Sequence, residues 1–297
     1  MSFSGLSDLF EGRVGSRDCL ASLLSLKAPE NAREYLYNRH KRVFPRVDSY
    51  KDAAKRWQQY PFGAMKNVRP ILDSDIADLE FTKKIAEKLS FDISRFTDFL
   101  DGYARVAEDI KPVMLHYAVI YLLDFFSRTY LKYGQNLSHG VKMMPREGKE
   151  TVLETKVKIL DVGVFPRAVD AFYATRQSSL FSNDDITGIG YNFSALIEPA
   201  NPPRIPKLKY CEKPQVTLGR LLTVYRTLNG LKAEVTMANK ILTGYLILFL
   251  VSSISRYKAK DWFAVRQDRD LSNRIELLNF NFVSEWIPEL FLQMSLV

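Results

Sequence analysis

The sequence predicts a mainly α fold: a single helical domain over residues 1–297, built around a long central buried helix and carrying a small β-hairpin insertion. Three observations predict it. Residues 112–133 contain no helix breaker after Pro112, and the apolar side chains between 113 and 126 occupy every face, the pattern of a helix enclosed by protein. At 1.5 Å per residue that helix is about 33 Å long. Segments with apolar residues at helical spacing lie on both sides of it and can wrap it. After Gly140 the pattern changes to the strand-like alternation of 151–165.

Taken in order, 16–26 and 31–42 are expected to be short helices parted by Ala28-Pro29-Glu30, the second with Ala32, Tyr35, Leu36 and Arg39 at helical spacing. Phe44-Pro45 stops it. A third helix at 50–60 carries Trp57 and ends at Pro61-Phe62-Gly63. Residues 73–89, with Ile76, Leu79, Ile85 and Leu89, and 94–107, with Phe96, Phe99, Leu100 and Tyr103, read as two helices that wrap the central one. Asp109 is expected to cap that helix, Pro112 fits its first turn and Gly134 closes it. The Asp161-Val162-Gly163 break predicts one hairpin within 151–165, and helix resumes at 166–176. Residues 177–214 are rich in Ser, Asn, Gly and Pro, with 198–206 the strongest surface-loop signal. Helices follow at 216–231 and 238–257, then a terminal pair over 271–296 bent at Pro288. Within the one domain the parts are 1–140, 141–215 and 216–297.

With 46% hydrophobic residues the chain can bury a core, which excludes disorder as the default. Cys19 and Cys211 are far apart with no Cys-x-x-Cys, so neither a zinc site nor a disulfide framework is signalled and a reducing cytoplasm is the expected location. The first residues lack the basic start and apolar run of a signal peptide. Residues 241–254 fall short of the roughly 20 needed to cross a bilayer, so they read as a core helix and no transmembrane segment is expected. No cofactor is expected either. Gly188 and Gly190 lack the lysine and helix of a phosphate loop, and acidic pairs such as Asp98 with Asp101 come without a third metal ligand.

The net charge of +8 favours acidic partners, and its distribution says more than its total. Between Lys27 and Trp57 nine bases face four acids, and between Arg204 and Lys232 seven face one. Aromatics interleave with the first group (Tyr35, Tyr37, Phe44, Tyr50, Trp57), offering surfaces on which unpaired bases could stack. The candidate nucleic-acid contacts are Arg33, Arg39, Arg42, Arg46, Lys55 and Arg56 in the first stretch and Arg204, Lys207 and Lys209 in the second. Arg256 and Lys258 follow the apolar helix near the C-terminus. Together they predict a non-catalytic basic helical module that binds nucleic acid, RNA or single strands, or else a protein partner.

Asn136-Leu-Ser-His139-Gly140 after the long helix, Gly163-Val164-Phe165 near the middle and Arg256-Tyr257 before Trp262 resemble the pattern of the YaaC-like family over nearly the whole chain. That resemblance implies a mostly helical cytoplasmic protein and no particular reaction. The long helix with a polar, histidine-bearing loop is also similar to HEPN-type helical domains, many of which cut RNA without metal. That likeness implies an alternative, a metal-independent endoribonuclease using His139 with Arg128, or Arg33 with His40: histidine moves the proton and arginine holds the phosphate. The spacing of ten between Arg128 and His139 departs from the family's shorter one. His139 has a simpler reading, in which its ring bonds loop carbonyls to fix the turn at Gly140. His116 reads as a satisfied core histidine, and Asp124 with Arg128 as an i,i+4 ion pair. A further alternative is an effector at anionic membranes.

Overall fold

The computed structural model describes residues 16–43, 68–133, 138–146, 148, 150–160, 162–174, 215–229 and 233–295. The expected helix at 50–60, the loop-rich 177–214, Gly134 and the loop residues 135–137 lie outside them. Two short helices open the described chain, α1 (Ser16–Ser25) and α2 (Pro29–Val43), where Pro29 begins the second because a first-turn residue needs no backbone N–H. Strand β1 (Val68–Pro70) follows, then α3 (Asp73–Ala77) and α4 (Leu79–Arg105). The two helices expected at 73–89 and 94–107 are divided elsewhere. Nothing between Leu89 and Ser94 breaks a helix, so α4 runs on through 27 residues, and the break falls at Asp78, whose Oδ1 accepts from the N–H groups of Glu80 and Phe81.

The central helix α5 (Lys111–Tyr130) starts within a residue of its expected position but ends three residues early. Leu131–Tyr133 becomes β2, pairing antiparallel with β1 so that Val68 faces Tyr133 and Pro70 faces Leu131. Lys132 pairs with the buried Asp75 of α3 at 2.6 Å. Asp109 is not the cap: its Oδ1 accepts from the indole Nε1 of Trp262 at 3.0 Å, and Ile110 sits at the cap position with no side-chain bond. From Leu115 to Tyr130 all but Tyr117 and Tyr121 of α5 are buried, and α2, α4 and the later helices Val164–Ala174 and Ala233–Tyr257 pack around it. Each fully buried Leu, Ile or Phe here contributes about 1.5–3 kcal/mol. These residues belong to one continuous core that also takes in Leu36, Phe96, Val157, Phe172, Leu248 and Trp286.

The β insertion differs from the expected hairpin. Strand β3 (Val141–Met143) pairs antiparallel with β4 (Lys156–Ile159), which pairs in turn with β5 (Gln215–Thr217). Residues 152–154 form a 3-10 turn, and α6 (Val164–Ala174) begins where the second arm of the hairpin was expected. The break at 161–163 therefore ends a strand and starts a helix. Gly163 is the physical reason. Its φ of +135 is open to glycine, and a Cβ there would lie 2.2 Å from the backbone N of Gly140, itself at φ +74.

After β5 come α7 (Leu218–Asn229) and α8 (Ala233–Tyr257), whose residues 240–254 are all buried. No helix among the described residues is long and apolar enough to cross a membrane. Then come α9 (Ala259–Gln267) and α10 (Arg269–Asn281), the latter capped by Asp268 accepting from the Leu271 N–H. The bend expected at Pro288 appears one turn earlier, as a π-type turn over Phe282–Trp286 leading into α11 (Ile287–Ser295). Proline at 288 clashes with the carbonyl four residues back, and the wider turn relieves it, the Ile287 N–H donating instead to the Phe282 carbonyl. Helix α11 packs on α1, and Phe291 meets Phe96 of α4 with ring centroids 5.5 Å apart.

Helix α8 is kept close to the π-type turn by Gly244, where a Cβ would lie 2.2 Å from Cε2 of the fully buried Phe282 and 2.9 Å from Trp286. Gly244→Ala is expected to destabilise the protein by about 1–3 kcal/mol through overpacking, read as a lower urea midpoint at unchanged slope.

Candidate functional site

Two polar clusters lie within the core, one toward each end of α5. At the C-terminal end, Asp124 is fully buried and accepts from Arg128 Nη2 at 2.6 Å, Arg167 Nη2 of α6 at 3.1 Å and the Tyr133 hydroxyl at 2.8 Å. Arg128 reaches across to α4, its Nε donating to Asp92 at 2.9 Å. The Tyr133 ring lies against both guanidinium groups, 4.3 Å from Arg167 and 4.9 Å from Arg128. The i,i+4 pair expected at Asp124 and Arg128 is thus formed, with Asp92, Arg167 and Tyr133 added by the fold. Burial and the neighbouring Asp124 charge raise the Asp92 carboxyl to about 8, against the attraction of Arg128.

At the other end His116 is wholly buried, and neither ring nitrogen has a hydrogen-bond partner, so the satisfied histidine expected there is not found. Its ring lies against that of His139, centroids 5.4 Å apart and planes 30° from parallel, and Tyr245 and Phe249 of α8 close around it. His139 is half-buried, and its Nδ1 also lacks a partner. The turn at Gly140 is fixed by the backbone of His139 rather than by its ring, its carbonyl accepting from the Tyr245 hydroxyl at 2.9 Å and the Phe165 N–H at 3.2 Å. The Gly140–Gly163 approach holds this loop on α6.

Arg256, from the last turn of α8, completes the cluster. Its Nε donates to the Ser252 carbonyl at 3.0 Å and its Nη1 to the Tyr117 hydroxyl at 2.9 Å. Burial first, then each other's proximity and the Arg256 charge, depress the His116 imidazole well below its usual range; burial and Arg256 depress His139. Both rings are therefore neutral at neutral pH. Among the described residues no carboxylate offsets this field. Among the described residues no three side chains of metal-ligating type come together.

The expected site residues are distributed unevenly. Arg128 does not join His139: it is spent on Asp92 and Asp124, about 18 Å along α5 from His116, twelve residues at 1.5 Å each. Arg39 is 3% exposed and gives Nε and Nη2 to the Tyr130 hydroxyl, so it is not at a nucleic-acid surface but ties α2 to α5. Arg33 and Lys258 are exposed and Arg256 partly so. The side chains of His40 and Arg42, and Arg46, Lys55, Arg56, Arg204, Lys207 and Lys209, lie outside the described residues. Sequence reasoning missed the joining of His116 to His139 and of Tyr117 to Arg256. No local signal marks either, since His116 and Tyr117 are consecutive on α5 and lie about 100° apart around it. Compared with protein-family models, curated proteins and solved structures, the chain finds no match in any of the three.

Two outcomes follow for the clusters. Replacing Arg128 with Met takes the arginine donor from Asp92 and leaves Asp124 with Arg167 and Tyr133 alone, and is expected to cost about 3–5 kcal/mol by chemical denaturation. The second concerns pH. Because the Asp92 carboxyl is raised in the folded protein, the folded state holds its proton where the unfolded chain has lost it, so its contribution is present at low pH and lost as pH rises toward about 8. The depressed histidines act oppositely and cost stability below about 6.5, where the unfolded chain protonates first. Urea midpoints should fall between pH 6.5 and 8 in the native protein and stay level in Asp92→Asn. That variant should instead lose stability below 6.5.

Proposed function

We propose that this protein is a non-catalytic helical module that binds single-stranded nucleic acid at the junction of α8 and α9. The observation that carries this reading is the alternation of open aromatic and basic side chains just beyond the core. Tyr257 and Phe263 are 69% and 63% exposed, and between them stand the exposed Lys258 and Lys260. The Arg256 guanidinium lies 5.0 Å from the centre of the Tyr257 ring. Cations placed among exposed rings suit a flexible phosphate chain whose unpaired bases need a stacking surface. Nearby acids do not cancel the charge, since Asp261 is paired with Arg146. Arg266 contributes little, because its charge is met by Glu276 at 3.2 Å and Asp109 at 3.7 Å.

A second reading, metal-independent cleavage of RNA, is favoured by a neutral, half-buried His139 beside a fixed arginine, with Arg256 in the place expected of Arg128. Filter binding of single-stranded RNA and DNA across a salt series tests the first reading. Binding at low salt is expected, with Lys258→Glu/Lys260→Glu lowering affinity by about tenfold or more and flattening the salt slope by roughly 1.5–2 units. Tyr257→Ala should cost about 1–3 kcal/mol on either strand type. Absence of binding at low salt removes this reading. In the same reactions an RNA pool left intact after long incubation removes the second.

A further inference from the structure

The histidine pair calls for a ligand that the strand surface does not explain. Leaving a polar group buried and unpaired opposes folding, and here His116 has two such nitrogens and His139 one. Two neutral imidazoles would ordinarily suit a transition metal, but among the described residues the ionised neighbour acting on both is the Arg256 cation, and a positive field works against a second cation. The same field attracts an anion. Arg256 has its Nε and Nη1 pinned by Ser252 and Tyr117, while its Nη2 donates to no partner among the described residues. Tyr117 neighbours both groups, its ring centre 6.4 Å from that of His139 and 5.5 Å from the Arg256 guanidinium. His139 and Arg256 are both part-exposed, so a ligand can reach them while His116 stays behind.

We propose that His139, Arg256 and Tyr117 form a binding site for one tetrahedral phosphate oxyanion, with His116 as the positioning residue that seats the His139 ring. The site rests on the strand-binding reading for the source of its ligand, which is a single backbone phosphate of the bound strand. Arg256 supplies the fixed charge and its free N–H, and the His139 ring supplies a second donor. Binding brings a negative charge to imidazoles whose facing groups are otherwise Tyr117 on α5, and Tyr245 and Arg256 on α8, none of them anionic at neutral pH. An anion in this position favours the protonated ring, so one proton is taken up with it and affinity rises by as much as about tenfold per pH unit on acidification.

The test is titration of the whole protein with inorganic phosphate at constant ionic strength, at pH 6.0 and 7.5, followed by the histidine C–H resonances. Tighter binding at pH 6.0 and an upward move of the His139 titration midpoint are expected. Arg256→Gln should weaken phosphate by about tenfold or more. His139→Asn should remove the pH dependence with the fold intact. A parallel arm uses a five-nucleotide single strand. If the strand binds but phosphate does not perturb His139, the site is wrong and the strand reading stands; if phosphate binds through Arg256 and the strand does not, the strand reading is wrong and the site stands. Equal phosphate affinity in native protein and a folded Arg256→Gln overturns the site, and if that variant fails to fold, an unchanged pH dependence in His139→Asn does so.

Discussion

Asp124 is the point on which the interior is arranged. Its carboxylate has no access to water and takes hydrogen bonds from Arg128 on its own helix, Arg167 on α6 and Tyr133 on β2, while Arg128 carries the link on to Asp92 of α4. An apolar helix can slide or rotate against apolar neighbours at small cost. A buried carboxylate with three donors cannot, because each displaced donor leaves a charge without solvation. The network thus fixes the rotation of α5 about its axis. It decides which of its residues, His116 and Tyr117 among them, point at the Gly140 loop and at α8.

That division of labour separates the two ends of α5 in character. Toward Tyr130 the polar groups are closed off, two carboxyl groups against two guanidinium groups, with a tyrosine ring against both cations. Toward Lys111 the cluster holds two imidazoles and one arginine, with no acid among the described residues to answer them. A closed network serves the fold, whereas an open one with donors to spare leaves room for something that is not protein. The unfulfilled donors and the exposed aromatic and basic side chains of the α8–α9 junction share Arg256.

Much of the architecture could be read from the residues because it depends on local pattern. The all-round apolarity of 113–126 announced an enclosed helix, and Pro29, Pro112 and the Asp124–Arg128 spacing each act within a turn or two of their own position. What could not be read depended on partners far along the chain. Leu131–Tyr133 left the helix because Val68–Pro70 offered it a strand. The second arm of the expected hairpin became helix because β4 found β3 and β5 instead. Arg39 looked like a surface base by composition, and only the hydroxyl of Tyr130, 91 residues away, explains its burial. His139 was legible as a candidate, but Arg256 as its companion was not, since nothing local relates the end of α8 to a loop more than a hundred residues earlier.

The π-type turn at Phe282–Trp286 carries a consequence for how this chain tolerates change in length. Along α10 the inward residues Leu271, Ile275, Leu278 and Phe282 keep ordinary helical phase, but on an unbroken helix Ile287, Leu290 and Phe291 would fall roughly 140° away. The wide turn takes up about 100° of that, one residue's worth of rotation, and brings both halves close to one inner stripe. A one-residue deletion inside it would restore a regular helix but return Pro288 to its clash with the carbonyl four residues back, whereas the same deletion in α4 or α8 would swing everything downstream out of register. The length of the C-terminal segment is thus tied to its proline: the extra residue can be lost only together with Pro288.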